Sequence, residues 1–288
     1  MRRIYLLFIF LLVFGALPFL AVAKDLTVFY PRPETASDSR TEYPLKLLEL
    51  AFSKVQKPYK LTPTSQVMPQ GRALLQLQGG LDVDIVWSMT SKQRELRLKP
   101  IRIPIYKGLI GWRVFLANKR SLDKFQPALT IDELREFGLV QGHDWPDTEI
   151  LRANGFTVAG VSNYNSIFAM LSQTRVDLFP RSIVEVWAEA EAYKGSGIVI
   201  EPTKIVVYPT AFYYFVTQGN VELSDALEMG LRAALDDGSF DLLFEKYHSS
   251  IIKKTNLSQR QTYFLDNPAL PSKTPLEESR LWFSIAPS

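Results

Sequence analysis

The stretch RVDLFPRS, residues 175–182, combines an arginine with the predicted end of a buried strand. Arg181 stands where that strand is expected to give way to a helix, so its guanidinium would join the free N–H groups of the first helical turn. Together these donors would bind a carboxylate or a phosphate. The alternative is an ion pair of Arg181 with Glu185, which would only order the helix.

Few residues of this chain are suited to catalysis. The sequence has two histidines and no cysteine, and it contains no Gly-x-Ser-x-Gly turn, glycine-rich phosphate loop or His-Glu-x-x-His helix. The loop GHDWPD places His143 near Asp144 and Asp147, but such spacing is common on loops, and we expect no metal there. His248 falls late in a predicted C-terminal helix, where we expect it at the surface. The sequence therefore predicts neither a cofactor nor an enzyme.

The first part of the chain alternates predicted strands and helices. Strands are predicted in DLTVFY, PYKLTPT and VDIVWSMT, and apolar residues at helical spacing indicate helices in YPLKLLELAFSKV and MPQGRALLQLQGG. This β-α-β-α-β order is typical of a parallel sheet with helices on its faces. The following segment, residues 101–118, is rich in aromatic and β-branched residues and is expected to be extended.

A second α/β unit follows a polar segment. Thr130 is predicted to cap its first helix, with Glu133 three residues further on completing a capping box. Strands are predicted in GLVQG, FTVAGVS, VDLFP and GIVIEP, with helices in DTEILRANG, NSIFAMLSQT and SIVEVWAEAEAYK. An extended segment, residues 204–220, then precedes a long helical region.

These elements predict two α/β lobes with a ligand cleft between them, joined by a hinge of two strands. We expect residues 24–118 to form the first part of lobe 1, residues 119–205 to form lobe 2, and residues 206–288 to return to lobe 1 and end in a C-terminal wrap.

Candidate ligand contacts follow the carboxyl ends of the predicted strands, where open α/β sheets bind their ligands. They are Tyr30 and Arg32 after the first strand, Trp87 and Ser88 after the third, and Gln141, His143, Asp144 and Trp145 after the first strand of lobe 2. The three aromatic side chains could stack on an apolar part of a solute, or they could belong to the core.

Two helix starts add further candidates. Arg72, in the second helix, could contact an anion or remain a solvated helix residue. Asn163 and Asn165 could donate to the solute or cap the helix that follows them.

The N-terminus has the pattern of a secretory signal peptide. Arg2 and Arg3 precede an uncharged apolar run that ends in AVA, residues 21–23, which predicts cleavage before Lys24. A retained membrane anchor is the alternative. Loss of the two arginines from the 33 basic residues, against 30 acidic ones, lowers the net charge from +3 to +1.

The composition also limits which partners the protein can bind and in which cellular compartment it is expected. A charge this close to zero makes nucleic acid and anionic membrane surfaces poor partners. The absence of cysteine excludes disulfides and a lipid-modified cysteine, which fits a soluble protein of the periplasm.

Three segments, in their order and spacing, resemble the type II periplasmic solute-binding proteins, and specifically the branch that binds polar amino acids. GRALLQLQGGLDVDIVWSMT is similar to the family's helix-Gly-x-x-Asp-strand segment. TSKQRELRLKPIRIPIY is similar to its Thr/Ser-x-x-Arg-Glu segment, and RVDLFPRS to the Arg/Gly-x-Asp strand of its second lobe. The resemblance covers residues 25 to about 250 and implies two lobes that close over a small solute.

Arg94 matches the arginine that, in this family, clamps the solute carboxylate. A planar guanidinium suits that role because it donates two parallel charge-assisted hydrogen bonds and keeps its proton. The alternative is a surface ion pair of Arg94 with Glu95 or Glu42.

The second lobe departs from the family pattern. Amino-acid binders generally carry an acid a few residues after the position that Asp177 matches, and this acid meets the solute ammonium group. Here that region holds Pro180, Arg181 and Ser182. The departure favours an anionic or neutral hydrogen-bonding group of the solute at this lobe.

The resemblance implies a monomeric periplasmic protein that captures an anionic or zwitterionic, amino-acid-like solute by hinge closure and delivers it to the permease of an ABC-type uptake transporter. One alternative is a sensory binding protein for a membrane receptor. The other is a lyase of the cyclohexadienyl dehydratase type, with Arg94 and Arg181 holding carboxylates and His143 or Glu185 as general acid. A binder leaves its solute unchanged in mass, whereas a lyase does not.

Overall fold

The computed structural model describes residues 26–32, 41–55 and 57–284. The predicted signal peptide, residues 1–23, lies outside the described residues. Within the described ranges, no helix combines the length and the apolar character needed to cross a membrane.

The first lobe is built mainly from the N-terminal part of the chain. Its elements in chain order are β1 (Leu26–Arg32), α1 (Glu42–Ser53), β2 (Tyr59–Val67), α2 (Gln70–Gln78), β3 (Val86–Met89), α3 (Lys92–Arg97) and β4 (Lys99–Ile101). β1 and β2 pair in parallel, whereas β3 and β4 both flank β11 (Phe212–Val216) in antiparallel pairing. The predicted β-α-β-α-β order is therefore present, but its third strand has an antiparallel partner, because the chain returns to this lobe at β11.

The second lobe contains a seven-stranded mixed sheet. Its elements are β5 (Trp112–Asn118), α4 (Ile131–Arg135), β6 (Leu139–Gly142), α5 (Pro146–Ala153), β7 (Val158–Val161), α6 (Tyr164–Ser172), β8 (Leu178–Ser182), α7 (Val186–Ala192), β9 (Ile198–Ile200), β10 (Lys204–Val207) and β12 (Gln261–Phe264). The strand order is β12-β10-β5-β8-β6-β7, with β9 also paired to β5. β6 runs parallel to β7 and β8, as the alternating strands and helices predicted.

The chain crosses between the lobes twice, once between β4 and β5 and once between β10 and β11. The two crossing segments touch, since Tyr208 N donates to Gly111 O at 3.2 Å. A Cβ atom on Gly111 would lie 2.2 Å from Tyr208 O, so only glycine permits this approach. The α/β class and its two-strand hinge are confirmed. The limits set for the lobes stay a prediction, because β5 and β10 both belong to the larger sheet.

The C-terminal part of lobe 1 is helical. α8 (Val221–Asp236) and α9 (Ser239–Thr255) meet at Gly238, which has a φ of +78°. α8 packs closely on α1, and a Cβ atom on Gly230 would lie 2.2 Å from Ala51 O. The glycine at position 230 therefore allows α8 to pack this closely on α1.

The predicted capping box at the start of α4 is present. Thr130 Oγ1 accepts from Glu133 N at 3.2 Å, and the Glu133 carboxylate accepts from Thr130 N at 2.7 Å. These two hydrogen bonds satisfy donors that the first helical turn leaves free.

The prediction that His248 lies at the surface is wrong. Its side chain is 4% exposed and contacts the rings of Tyr43, Tyr106 and Phe244. The residue faces the layer between α9 and α1, because the apolar stripe of α9 continues through this position. Burial among aromatic rings lowers the pKa of His248 to about 3.

This burial makes stability depend on pH. Unfolded His248 takes up a proton below about pH 6.5, whereas the folded form stays neutral to about pH 3, so stability is lost as the pH falls through this window. We expect the free energy of unfolding to fall by about 2 kcal/mol between pH 7 and pH 5 from this residue. His248→Phe should remove that part of the fall, measured by urea unfolding at both pH values. His143→Phe, which replaces an exposed histidine, is the control. If the free energy of unfolding falls equally in His248→Phe and in the parent protein, His248 is not the source of the fall.

Candidate functional site

Two neighbouring spaces lie between the lobes, and we call them the inner cavity and the outer groove. The inner cavity has a volume of about 150 Å³, and its polar lining residues are Arg32, Thr41, Gln70, Arg113, Asp147, Arg181 and Glu185. The outer groove has a volume of about 620 Å³, and its charged lining residues are Arg72, Arg94, Arg97, His143 and Asp144. Gln70 and Trp145 line both spaces, so one solute could reach from one into the other.

Arg94 lies at the junction of the two lobes. Ser91 caps the start of α3 by accepting from Arg94 N at 3.2 Å, which fixes the backbone that carries the guanidinium. Nη1 donates to Ser88 Oγ at 2.7 Å and to Met89 O at 2.8 Å. Nη2 donates to Gln70 Oε1 and, across the cleft, to Asp144 O, both at 3.2 Å. One side of the guanidinium is therefore anchored in lobe 1, and the other makes longer bonds toward the cleft.

The charge of Arg94 meets only neutral acceptors at hydrogen-bonding distance among the described residues. Burial lowers the pKa of Arg94 to about 10, although Asp144, Asp147 and Glu149 act in the opposite direction. The group still carries its proton at neutral pH. A partly buried cation of this kind is a good partner for an anionic group of a ligand.

The alternative ion pairs of Arg94 do not form. Glu95 pairs with Arg102 and accepts from Thr90, and Glu42 accepts from the Tyr247 hydroxyl. Both acids are engaged elsewhere, which leaves Arg94 directed at the other lobe.

Arg181 lies inside β8 and not at a helix start, so that part of the prediction is wrong. The strand extends to Ser182, and α7 begins only at Val186. The side chain is 3% exposed, with Nη2 at 2.9 Å from Glu185 Oε1 and 2.6 Å from Glu189 Oε1. Although burial opposes its charge, the two carboxylates raise the pKa of Arg181 well above its ordinary value.

These contacts favour the alternative in which Arg181 pairs with Glu185. A helix N-terminus does not assist it, and two carboxylates already balance its charge. Arg181 and Glu185 nevertheless both line the inner cavity, and a direct contact of either with a solute stays a prediction.

The predicted aromatic residues form two walls. Trp145 lies beside Arg181, with the Cζ atom of the arginine 5.1 Å from the ring centroid, and it lines both spaces. Trp87 lines the inner cavity, and Tyr30 packs against it at a ring distance of 5.9 Å. Tyr30 therefore packs against Trp87, which is part of the cavity wall.

Two predicted contacts are fully buried behind the walls. Ser88 accepts from Arg94, and Gln141 Nε2 donates to Pro180 O at 2.9 Å. In this arrangement they position Arg94 and β8, respectively. Their direct contact with a solute stays a prediction.

The remaining candidates surround the outer groove. Arg72 and Asn163 are exposed, and Asn163 caps α6 by accepting from Ser166 N at 3.1 Å. His143 is also exposed, at 58% of its side chain. Asn165 accepts from the Tyr193 hydroxyl. Arg72, His143 and Asn163 line the groove.

Arg113 was not predicted as a site residue, and Asp147 was considered only as a possible metal ligand. Arg113 Nη2 pairs with Asp147 Oδ1 at 2.7 Å, and the Tyr208 hydroxyl donates to the same oxygen. The signal for Arg113 was a single cation inside the apolar strand WRVFLAN. Among the residues that the structure describes, no three His, Asp or Glu side chains converge as metal ligands.

Comparison with solved structures places this geometry in a known fold. An ancestral arginine-binding protein, solved with arginine bound, has 17% identity and a TM-score of 0.57 over 78% of this chain and 98% of its own. A periplasmic binding protein of Salmonella typhimurium with high arginine specificity has 14% identity and a TM-score of 0.57, over 78% and 99%. A histidine kinase sensor domain with similarity to periplasmic binding proteins has 16% identity and a TM-score of 0.57, over 78% and 96%.

No protein-family model matches the sequence, and no curated protein matches it. The structural likeness shows that the chain has the fold of the periplasmic binding proteins. The predicted resemblance to the amino-acid-binding members is confirmed at the level of the fold.

Proposed function

We propose that the protein captures a small amino-acid-like carboxylate between its lobes and delivers it to the permease of an ABC-type transporter. The observation that carries the proposal is Arg94, a protonated guanidinium held between the two lobes with no carboxylate partner among the described residues. The fold supports the proposal, because solved proteins that share it bind arginine and glutamine.

Arg94 would bind the solute carboxylate through Nη2. The bonds of this atom to Gln70 and Asp144 are longer than those that Nη1 makes to Ser88 and Met89. A carboxylate would replace neutral acceptors by a charge-assisted pair, which is shorter and stronger. The two anchoring bonds of Nη1 would hold the guanidinium in place during the exchange.

Closure of the lobes would complete the site. The Asp144 carboxylate lies against the start of α2, where a Cβ atom on Gly71 would be 2.3 Å from Asp144 Oδ2. Direct contact between the lobes thus accompanies the closed arrangement. A solute favours this form only by the difference between its affinities for the closed and the open form.

A bulkier residue at position 71 should displace the Asp144 carboxylate when the lobes are closed. We expect Gly71→Val to weaken solute binding by about tenfold, because its side chain would displace Asp144 in the closed form. Asp144→Ala in the same chain should recover part of the loss, because it vacates that space. Calorimetric titration measures the affinity, and small-angle X-ray scattering measures the closure. Unchanged affinity and an unchanged radius of gyration in Gly71→Val would show that this contact plays no part in closure.

We also propose the oligomeric state, the cellular location and the lobe limits that the sequence predicts. The protein would act as a monomer in the periplasm after removal of residues 1–23, with lobe limits at residues 118 and 205. We propose a binder and not an enzyme, because solved structures that share the fold include several solute-binding proteins. Of the two general acids considered for a lyase, Glu185 is held in an ion pair with Arg181.

A sensory role is the second candidate, because one solved structure of this fold is a histidine kinase sensor domain. In that case the closed form would dock on a membrane receptor instead of a permease. Pull-down of the solute-loaded protein from membranes, with the unloaded protein as control, distinguishes a permease partner from a receptor.

The experiment that tests the proposal is native mass spectrometry of the purified protein, followed by thermal-shift screening with amino acids, dicarboxylates, short peptides and sugars. A bound or stabilising carboxylate that is recovered with unchanged mass would support it. A solute recovered with altered mass would indicate a lyase, and a screen without any stabilising solute would overturn the proposal.

A further inference from the structure

Two residues that line the inner cavity, Arg113 and Glu185, each have buried polar atoms without a hydrogen-bond partner among the described residues. Arg113 is 2% exposed, and only its Nη2 atom is engaged, by Asp147; Nε and Nη1 have no hydrogen-bond partner among the described residues. Glu185 pairs with Arg181 through Oε1, while its Oε2 is buried and unpartnered within the same part of the chain. Both residues line the cavity. Buried groups left in this state destabilise a protein, and a ligand that satisfies them is one reason to retain them.

The ion pairs around these atoms carry a small excess of negative charge. Arg113 pairs with Asp147, and Arg181 pairs with both Glu185 and Glu189, so two arginines face three carboxylates and one negative charge is left over. Arg32 adds a positive charge only at the exposed rim, where Nε donates to Thr64 O at 2.7 Å. A further full anion would meet this excess of acid, whereas a group with no net charge would not.

The unpartnered atoms specify what such a group must present. Arg113 offers two free donor nitrogens, Nε and Nη1, and Glu185 offers one acceptor oxygen. The matching group has an oxygen acceptor next to an N–H donor. A primary carboxamide has this pattern, and so does the paired carboxylate and ammonium of an amino acid.

We propose that Arg113 and Glu185 form a second polar subsite, which binds a net-neutral group of the solute by accepting its N–H at Glu185 and donating to its oxygen from Arg113. The inference rests on the proposed function, because it takes the solute to lie between the lobes with a carboxylate on Arg94. Gln70 and Trp145 line both spaces, so this subsite and Arg94 belong to adjacent spaces.

The test uses three probes of similar length: glutamine, glutamate and 2-aminopentanoate. If a carboxamide occupies the subsite, glutamine should bind at least tenfold more tightly than the other two. If an amino-acid head group occupies it, glutamate should bind most tightly, with its second carboxylate on Arg94. Equal binding of all three, or binding of other screened solutes but of none of these, would overturn the subsite and leave the proposed function standing. No binding of any screened solute would overturn both.

Two variants test the named atoms. In Glu185→Gln, the amide oxygen stays on Arg181 and the NH₂ group replaces the free acceptor, so the preferred probe should bind at least tenfold more weakly. Glu191→Gln, an exposed acid paired with Lys194, is the matched control and should bind as the parent does. Arg113→Lys keeps a cation for Asp147 but loses the two free donor nitrogens, and the preferred probe should bind it more weakly by a similar factor. Parent affinity in both folded variants, checked by thermal unfolding without ligand, would overturn the proposal.

Discussion

Replacing Arg94 by alanine is expected to weaken solute binding by about 2–5 kcal/mol, because a carboxylate between the lobes would stay buried without its charge-assisted partner. Arg94 is the residue for this test because its charge has no competing acid at hydrogen-bonding distance in the described chain. Calorimetric titration with the solute that the screen identifies gives the affinity.

Two variants make this result specific. Arg97→Ala removes a neighbouring exposed arginine of the same helix and groove, and it should change the affinity by less than about 1 kcal/mol. Arg94→Lys keeps the charge without the planar pair of donors, so an intermediate loss is expected. An Arg94→Ala protein that is folded and binds with the parent affinity would show that Arg94 is not the clamp.

Replacing Arg181 by alanine should lower the free energy of unfolding by about 3–5 kcal/mol at pH 7, because Glu185 and Glu189 would remain buried without their cation. Protonation of these carboxylates would relieve their repulsion. The deficit relative to the parent protein should therefore shrink as the pH falls toward 4, and urea unfolding over this range measures it.

Controls separate this effect from a general loss of packing. Lys194→Ala breaks an exposed pair with Glu191 and should cost less than about 1 kcal/mol. Adding Glu189→Gln to Arg181→Ala should recover part of the lost stability at pH 7 but little at low pH. A deficit that is the same at every pH would mean that the ion pairs contribute nothing and that only packing was lost.

Much of the fold was predictable because local patterns agree with the final structure. The helices α1, α2, α5, α6 and α8 fall where apolar spacing placed them, and the capping box at Thr130 and Glu133 forms as expected. The pairing of β3 with β11 was not predictable, since it joins segments more than a hundred residues apart in sequence. The burial of His248 also depends on distant residues, because Tyr43 and Tyr106 form the walls around it.

The site was predictable in outline only. Strand ends pointed to Trp87 and Trp145, and the Arg-Glu segment pointed to Arg94, which the structure places at the lobe junction. The direction of Arg181 depends on Glu189, which lies 8 residues further along the chain, in α7, and no local rule selects that partner over Glu185. Arg113 was missed because its role depends on Asp147, which reaches it from another element.

The most direct test of the account is a crystal structure of the protein with the solute that the screen identifies. The account predicts the solute between the lobes, with its carboxylate within hydrogen-bonding distance of Arg94 Nη2 in place of Gln70 Oε1 and Asp144 O. A solute bound outside the inner cavity and the outer groove, or between the lobes without contact to Arg94, would contradict it.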